Sequence, residues 1–173
     1  MQHRVEHLAS KAMGAIKATK AKVEGLNGVF AQLSREHGEV TALMLRVKAS
    51  SHAEVRAHLF PKIRAELLSH EKGEVLEVYP VFREHAELVR FADEHDREAQ
   101  ELQRELGPLE QMDFGDGAWP RLFSDLVERV SQHVHDEEHR FFPLANRVLG
   151  REASEQMLTQ YRRTKEAAMQ NLL

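Results

Sequence analysis

The chain has 173 residues, of which 42% are hydrophobic and 30% charged, enough for one domain with its own core and suited to a mostly helical protein. A net charge of −4 with histidine neutral argues against nucleic acid as a partner, and the lack of cysteine excludes disulfides, thiolate metal sites and thiol catalysis. No apolar stretch is long enough to span a bilayer and the N-terminus lacks the apolar core of a signal peptide, so no membrane association is expected and the cytoplasm is the expected location.

Residues 1–25 read as an N-terminal amphipathic helix, with Val5, Leu8, Ala12, Ala15 and Ile16 on one stripe and Lys11, Lys17, Lys20 and Lys22 opposite. Bulky apolar residues are few on that stripe, so packing on the rest of the chain or on a second copy is expected rather than a membrane surface. Residues 26–150 predict an all-α, up-and-down four-helix bundle. Helix A spans about 26–48, with Phe30, Leu33, Val40, Met44 and Val47 at spacings of three and four. His37 stands on that seam where a leucine would be expected.

The polar segment 49–59 predicts a loop or a short helical turn, and helix B is expected to begin near Pro61. Its seam runs through Ile63, Leu67, His70, Glu74, Val78 and Val81. A break is expected near Pro80. Helix C follows with His85, Leu88, Ala92, His95, Ala99, Leu102 and Leu106 on its seam, and Gly107 and Pro108 are expected to stop it. Trp119 reads as a helix-entry anchor. Helix D then starts at Pro120 and carries Leu122, Leu126, Val130, His133, Glu137 and Phe141. Pro143 is expected to kink or end it, and Gly150 to close the segment. Residues 151–173 predict a last, weakly amphipathic C-terminal helix.

One pattern occurs twice. His70, Glu74, Tyr79 and Pro80 recur at the same offsets as His133, Glu137, Phe142 and Pro143. A histidine and a carboxylate four residues apart lie one turn apart on one helix face. With 11 histidines and 28 acids in 173 residues, about one or two such pairs arise by composition alone, so spacing by itself decides nothing. Position does: both pairs lie on core seams, and His37 and His95 lie on the other two. Counting residues from the shared turns puts all four histidines near mid-height, roughly 15 Å from either end. His85 falls at the turn, far from that layer. Buried ionisable groups are costly unless paired or metal-bound, so His37, His70, Glu74, His95, His133 and Glu137 are the candidate metal ligands. His3, His7, His52, His58, His135 and His139 have no such alignment and read as surface residues. Tyr79 and Phe142 read as core aromatics near helix ends.

These residues resemble the hemerythrin-like, or HHE cation-binding, proteins, over about residues 26–150. The resemblance rests on REH in helix A, HEKGE then YP in helix B, DEH in helix C, and HVHDE then FFP in helix D. It implies a non-haem di-iron site with His37, His70, His95 and His133 as terminal ligands and Glu74 and Glu137 as bridges. Two iron ions with an oxo or hydroxo bridge are the implied cofactor, manganese and zinc being the alternatives that imidazole and carboxylate also suit. Oxygen-carrying hemerythrins place a further histidine where Ala99 stands here, so both metals are expected to keep an exchangeable position. The set looks more like the iron-sulfur-repair and nitric-oxide-response branch. The expected function is to bind or sense dioxygen, nitric oxide or peroxide, or to store or deliver iron. The alternative is an oxidoreductase that consumes peroxide or nitric oxide.

Overall fold

Spacings of three and four put Phe30, Leu33, His37, Val40 and Met44 on the buried face of the first long helix, α1 (Gly28–Lys48). The structure is a computed structural model that describes residues 13–14 and 25–172. The N-terminal helix read from residues 1–25 therefore lies, apart from Met13, Gly14 and Gly25, outside the described residues. Helix α2 (Ala53–Gly73) runs into a π-helical turn at Glu74–Val78 and a short α3 (Tyr79–Arg83). Helix α4 is Val89–Gln111, and α5 (Trp119–Asp136) leads into a second π turn at Glu137–Phe141. Helix α6 (Phe142–Leu172) changes direction at Gly150, where φ is 76° and only glycine is at ease. The result is the expected all-α bundle, and the described residues form no strand. None of these helices is long and apolar enough to cross a membrane.

Four boundaries differ from the sequence reading. Helix α2 begins at Ala53 rather than near Pro61, so much of the expected loop is helical. A proline inside a helix costs about 3 kcal/mol, but burial of Leu59, Phe60 and Ile63 contributes roughly 1.5–3 kcal/mol each. Burial wins. Helix α4 likewise passes through Gly107 and Pro108 to Gln111, because Leu106 and Leu109 are both buried and Trp119 Nε1 donates to the Leu109 carbonyl at 3.3 Å. His85 sits half-buried in the turn before α4 instead of on its seam.

The fourth difference is the most informative. Neither Pro80 nor Pro143 breaks its helix: each follows a π turn that begins at the glutamate of the repeated motif. Tyr79 N–H bonds back to the Glu74 carbonyl, and Phe142 N–H to that of Glu137, both five residues earlier. The wider turn relieves the clash that a proline ring makes with the carbonyl four residues before it. Tyr79 and Phe142 are both buried on the inward face.

The core is in two parts. Leu26, Phe30, Leu33, Phe82, Phe91 and Phe141 belong to one apolar cluster, and Val40, Met44, Phe60, Leu102, Trp119 and Phe123 to another. Trp119 anchors the second, stacked on Phe123 and edge-on to Phe60, as the sequence suggested. Between the clusters every long helix passes through a polar layer. After Gly150 the chain returns along α1 and α2, and Tyr161 is seated on Gly73. A Cβ built at Gly73 would lie 2.6 Å from the Tyr161 ring, whereas one at Gly107 meets nothing within 4 Å. Gly73→Ala should therefore destabilise the fold by about 1–3 kcal/mol, as over-packing does. Gly107→Ala should stabilise it by up to about 1 kcal/mol. Thermal melting of the two variants checks the pair, and equal midpoints would contradict the seating of Tyr161.

Candidate metal centre

Helices α1, α2, α4 and α5 each deliver a histidine to one level because that residue takes a position between the two apolar clusters. Leu33 and Val40 flank His37, Ala92 and Leu102 flank His95, and Leu67 and Val78 flank His70 and Glu74. His37, His95, Glu74 and Glu137 are buried, while His70 and His133 lie at the edge of the layer. The ring centroids of His37 and His70 are 5.0 Å apart, and those of His95 and His133 5.5 Å. All six candidate ligands are thus brought together.

The contacts have a bridging pattern. Glu74 Oε2 lies 3.3 Å from His70 Nε2 and 3.4 Å from His95 Nε2. Glu137 Oε2 lies 3.1 Å from His37 Nε2 and 3.3 Å from His133 Nε2. Each carboxylate therefore touches one histidine of each pair. Ligands at right angles on a metal with bonds of about 2.1 Å are about 3 Å apart, so this spacing suits shared cations.

Three imidazoles are oriented from behind. His37 Nδ1 is 3.0 Å from Glu138 Oε1, His70 Nδ1 2.9 Å from Glu36 Oε2, and His133 Nδ1 2.7 Å from Glu98 Oε2. A carboxylate at Nδ1 holds the proton there and turns the Nε2 lone pair inward. Nε2 of His37 and His70, together with Glu71 Oε1, Glu74 Oε1 and Glu137 Oε2, is buried without a hydrogen bond of acceptable geometry. Lone pairs facing lone pairs in a dry core call for a cation between them. The donor set fits one.

The two copies of the motif form a pseudo-symmetric pair that differs at three places. Tyr79 stacks on His95 at 3.7 Å between centroids, and Phe142 stacks on His37 at 5.9 Å, so both aromatics of the motif clamp a histidine. Only Tyr79 has a hydroxyl, and it donates to Glu137 Oε1 at 2.5 Å. Where Glu138 backs His37, the first copy has Val75, and His95 Nδ1 is left without a partner. Where Val134 stands in the second copy, the first has Glu71, buried, with Oε1 3.3 Å from His95 Nε2.

Two groups of donor atoms, each within 4.8 Å of one another, follow from this. One is His37, His70, Glu74 and Glu137; the other is Glu71, Glu74, His95 and His133. Sequence reasoning missed Glu71 because it is next to His70, about 100° round the helix. Its spacing of three from Glu74 was the available signal. It also missed the Tyr79 hydroxyl and the carboxylates behind the histidines. His52, His135 and His139 are exposed and His58 half-buried, away from the layer.

A cavity of about 40 Å³, room for roughly three water-sized groups, touches His37, His70, Glu71 and His133. Its other walls are shared between aliphatic residues such as Leu67 and Leu102 and charged ones such as Glu36, Glu98 and Lys165.

Fold and layer together define a class: a helical bundle with a cation site of histidines and carboxylates enclosed between its helices. Residues 22–145 match the hemerythrin HHE cation binding domain, and the chain belongs to that family. No curated protein and no solved structure matches the chain.

Without a cation, protons must balance the layer. Burial pushes Glu71 up to about 8 against the opposing charge of His133, and burial with the Glu137 charge pushes Glu74 well above the usual carboxylate range. Burial would lower His133, but Glu137 and Glu98 bring it up to about 9; Glu137 and Glu138 raise His37 in the same way. Burial lowers His70 to about 4 and His95 to about 3, so these two are neutral. The four raised groups hold their protons more tightly than in water, and a bound cation must displace them. Metal uptake by the stripped protein should therefore release more than one proton. Its apparent affinity should fall roughly ten- to hundredfold per pH unit between pH 8 and 6. Zinc titration in weak buffer with an indicator dye measures both, and uptake without proton release would contradict the arrangement.

Proposed function

We propose that the polar layer is a dinuclear iron centre that binds a small ligand of the size of dioxygen, nitric oxide or peroxide. The observation that carries this reading is the contact of each glutamate, Glu74 and Glu137, with one histidine from each pair. Nitrogen and oxygen donors suit iron, manganese and zinc, and membership of the family favours iron. His37 and His70 would serve one ion and His95 and His133 the other, with Glu74 and Glu137 shared. Iron held this way supplies Lewis acidity and one-electron redox chemistry.

The chain's own residues account for the rest. Tyr79 donates to Oε1 of Glu137 and keeps Oε2 directed at the histidines. Glu36, Glu98 and Glu138 fix three imidazoles so that each presents Nε2. The small cavity has room for a diatomic or peroxide beside the histidines. Glu71 would add a carboxylate on the His95–His133 side that the His37–His70 side lacks. Each ion would still keep an exchangeable position, as expected from Ala99, with more room on the His37–His70 side.

Glu74→Ala or Glu137→Ala should lose at least about half of the iron, because each serves both ions, while His85→Ala should keep all of it. Metal analysis of protein from iron-replete cells, with an absorption spectrum, reads the outcome. Equal iron in all three variants would remove the bridging assignment. Steady consumption of peroxide or nitric oxide by the loaded protein would move the reading from binding to turnover.

A further inference from the structure

The match to the family ends at residue 145, yet the helix beyond it reaches the polar layer. After Gly150 the chain returns along α1 and α2, and two residues one turn apart point at the same atom. Tyr161 is fully buried, its ring edge-on to His70, and its hydroxyl donates to Glu36 Oε2 at 2.5 Å while lying 2.9 Å from His70 Nδ1 itself. Lys165 Nζ lies 2.7 Å from the same oxygen and 2.9 Å from Glu66 Oε2. Arg162 donates to Gln32 Oε1 at 3.0 Å, and Gln32 Nε2 donates to Glu36 Oε1 at 2.6 Å.

Glu36 thus has both oxygens engaged. Oε2 takes His70 Nδ1, the Tyr161 phenol and the Lys165 ammonium, while Oε1 takes Gln32. A buried carboxylate needs such compensation to stay ionised. The consequence falls on His70: its backing carboxylate cannot rotate, so its ring is held with Nε2 toward Glu74. The carboxylate behind His133 differs: Glu98 is about a third exposed and pairs with that histidine from the rim of the layer.

Charge adds to geometry. An ammonium beside Glu36 offsets its negative charge, so His70 is backed by a weaker acceptor than His133. Carboxylates behind histidine ligands raise ligand basicity, and altering them changes metal affinity about 10- to 100-fold. The two halves of the layer are therefore biased differently by residues that lie outside the family-matched segment.

We propose that Tyr161 and Lys165 are positioning residues of the metal centre that orient and tune His70, Lys165 through Glu36 and Tyr161 through Glu36 and its own contact with His70 Nδ1. The inference rests on the dinuclear reading above. The test is cobalt(II) titration of the metal-stripped full chain, read by visible absorption, together with its thermal midpoint.

Wild-type protein takes up two cobalt ions. Tyr161→Phe and Lys165→Met each weaken one of the two sites about tenfold or more and alter the bands of that ion alone. Lys165→Arg, which keeps the cation, lies closer to wild type than Lys165→Met. Arg163→Met, exposed on the same helix, leaves both sites as they are.

Two cobalt ions bound by Tyr161→Phe and Lys165→Met with wild-type affinities and spectra would overturn this inference and leave the dinuclear reading standing. Equal weakening of both sites, in step with a lowered midpoint and with no recovery in Lys165→Arg, would also overturn it, because the helix would then be a structural prop. A wild-type chain that takes up no cobalt would overturn both.

Discussion

The whole arrangement depends on one electrostatic constraint. Nitrogen lone pairs and carboxylate oxygens face one another across about 3 Å in a layer from which water is largely excluded, and they need positive charge between them. Protons can supply it, at the cost of raising Glu71, Glu74, His37 and His133 above their usual ranges. Two divalent cations supply it better, since each is shared by several donors at once. The apolar clusters on either side make the constraint strict: they lower the local dielectric and hold the helices in register, so the layer cannot open to let its charges hydrate.

The layer is built by a duplicated device. A histidine, a glutamate four residues on, a π turn starting at that glutamate, and an aromatic–proline pair together deliver a terminal donor, a shared donor and a stacking ring. The π turn links these parts, because its hydrogen bond to the carbonyl five residues back keeps the aromatic ring on the inward face while sparing the proline a clash. The copies are then made unequal. Glu71, the Tyr79 hydroxyl and the missing carboxylate behind His95 all fall on the first copy or on the histidine it clamps. Inequivalence of this kind would let two cations in the layer be held with different firmness.

Much of this was legible in the sequence, for physical reasons. Apolar periodicity marked α1, α4 and α5 because those helices bury one face, and a histidine on such a seam is conspicuous because burying it is costly. Helix ends were harder. Pro61 and Pro108 look like boundaries, yet Leu59, Phe60 and Leu109 outweigh them through tertiary burial, which no local rule contains. Pro80 and Pro143 were read as breaks because a π turn has no propensity signature of its own. Glu71 escaped because it is a neighbour of His70 rather than a residue one turn away. Glu36, Tyr161 and Lys165 are joined only when a helix more than a hundred residues later folds back over α1, a contact that sequence spacing does not encode.

The central claim is that two cations sit in the layer, and crystallographic anomalous scattering at the iron edge tests it most directly. The account predicts two peaks roughly 3.5–4 Å apart. One should lie within bonding distance, about 2.2 Å, of Nε2 of His37 and His70, and the other equally close to Nε2 of His95 and His133, with Glu74 and Glu137 reaching both. A single peak, no peak between the helices, or peaks confined to exposed histidines such as His135 and His139 would contradict it.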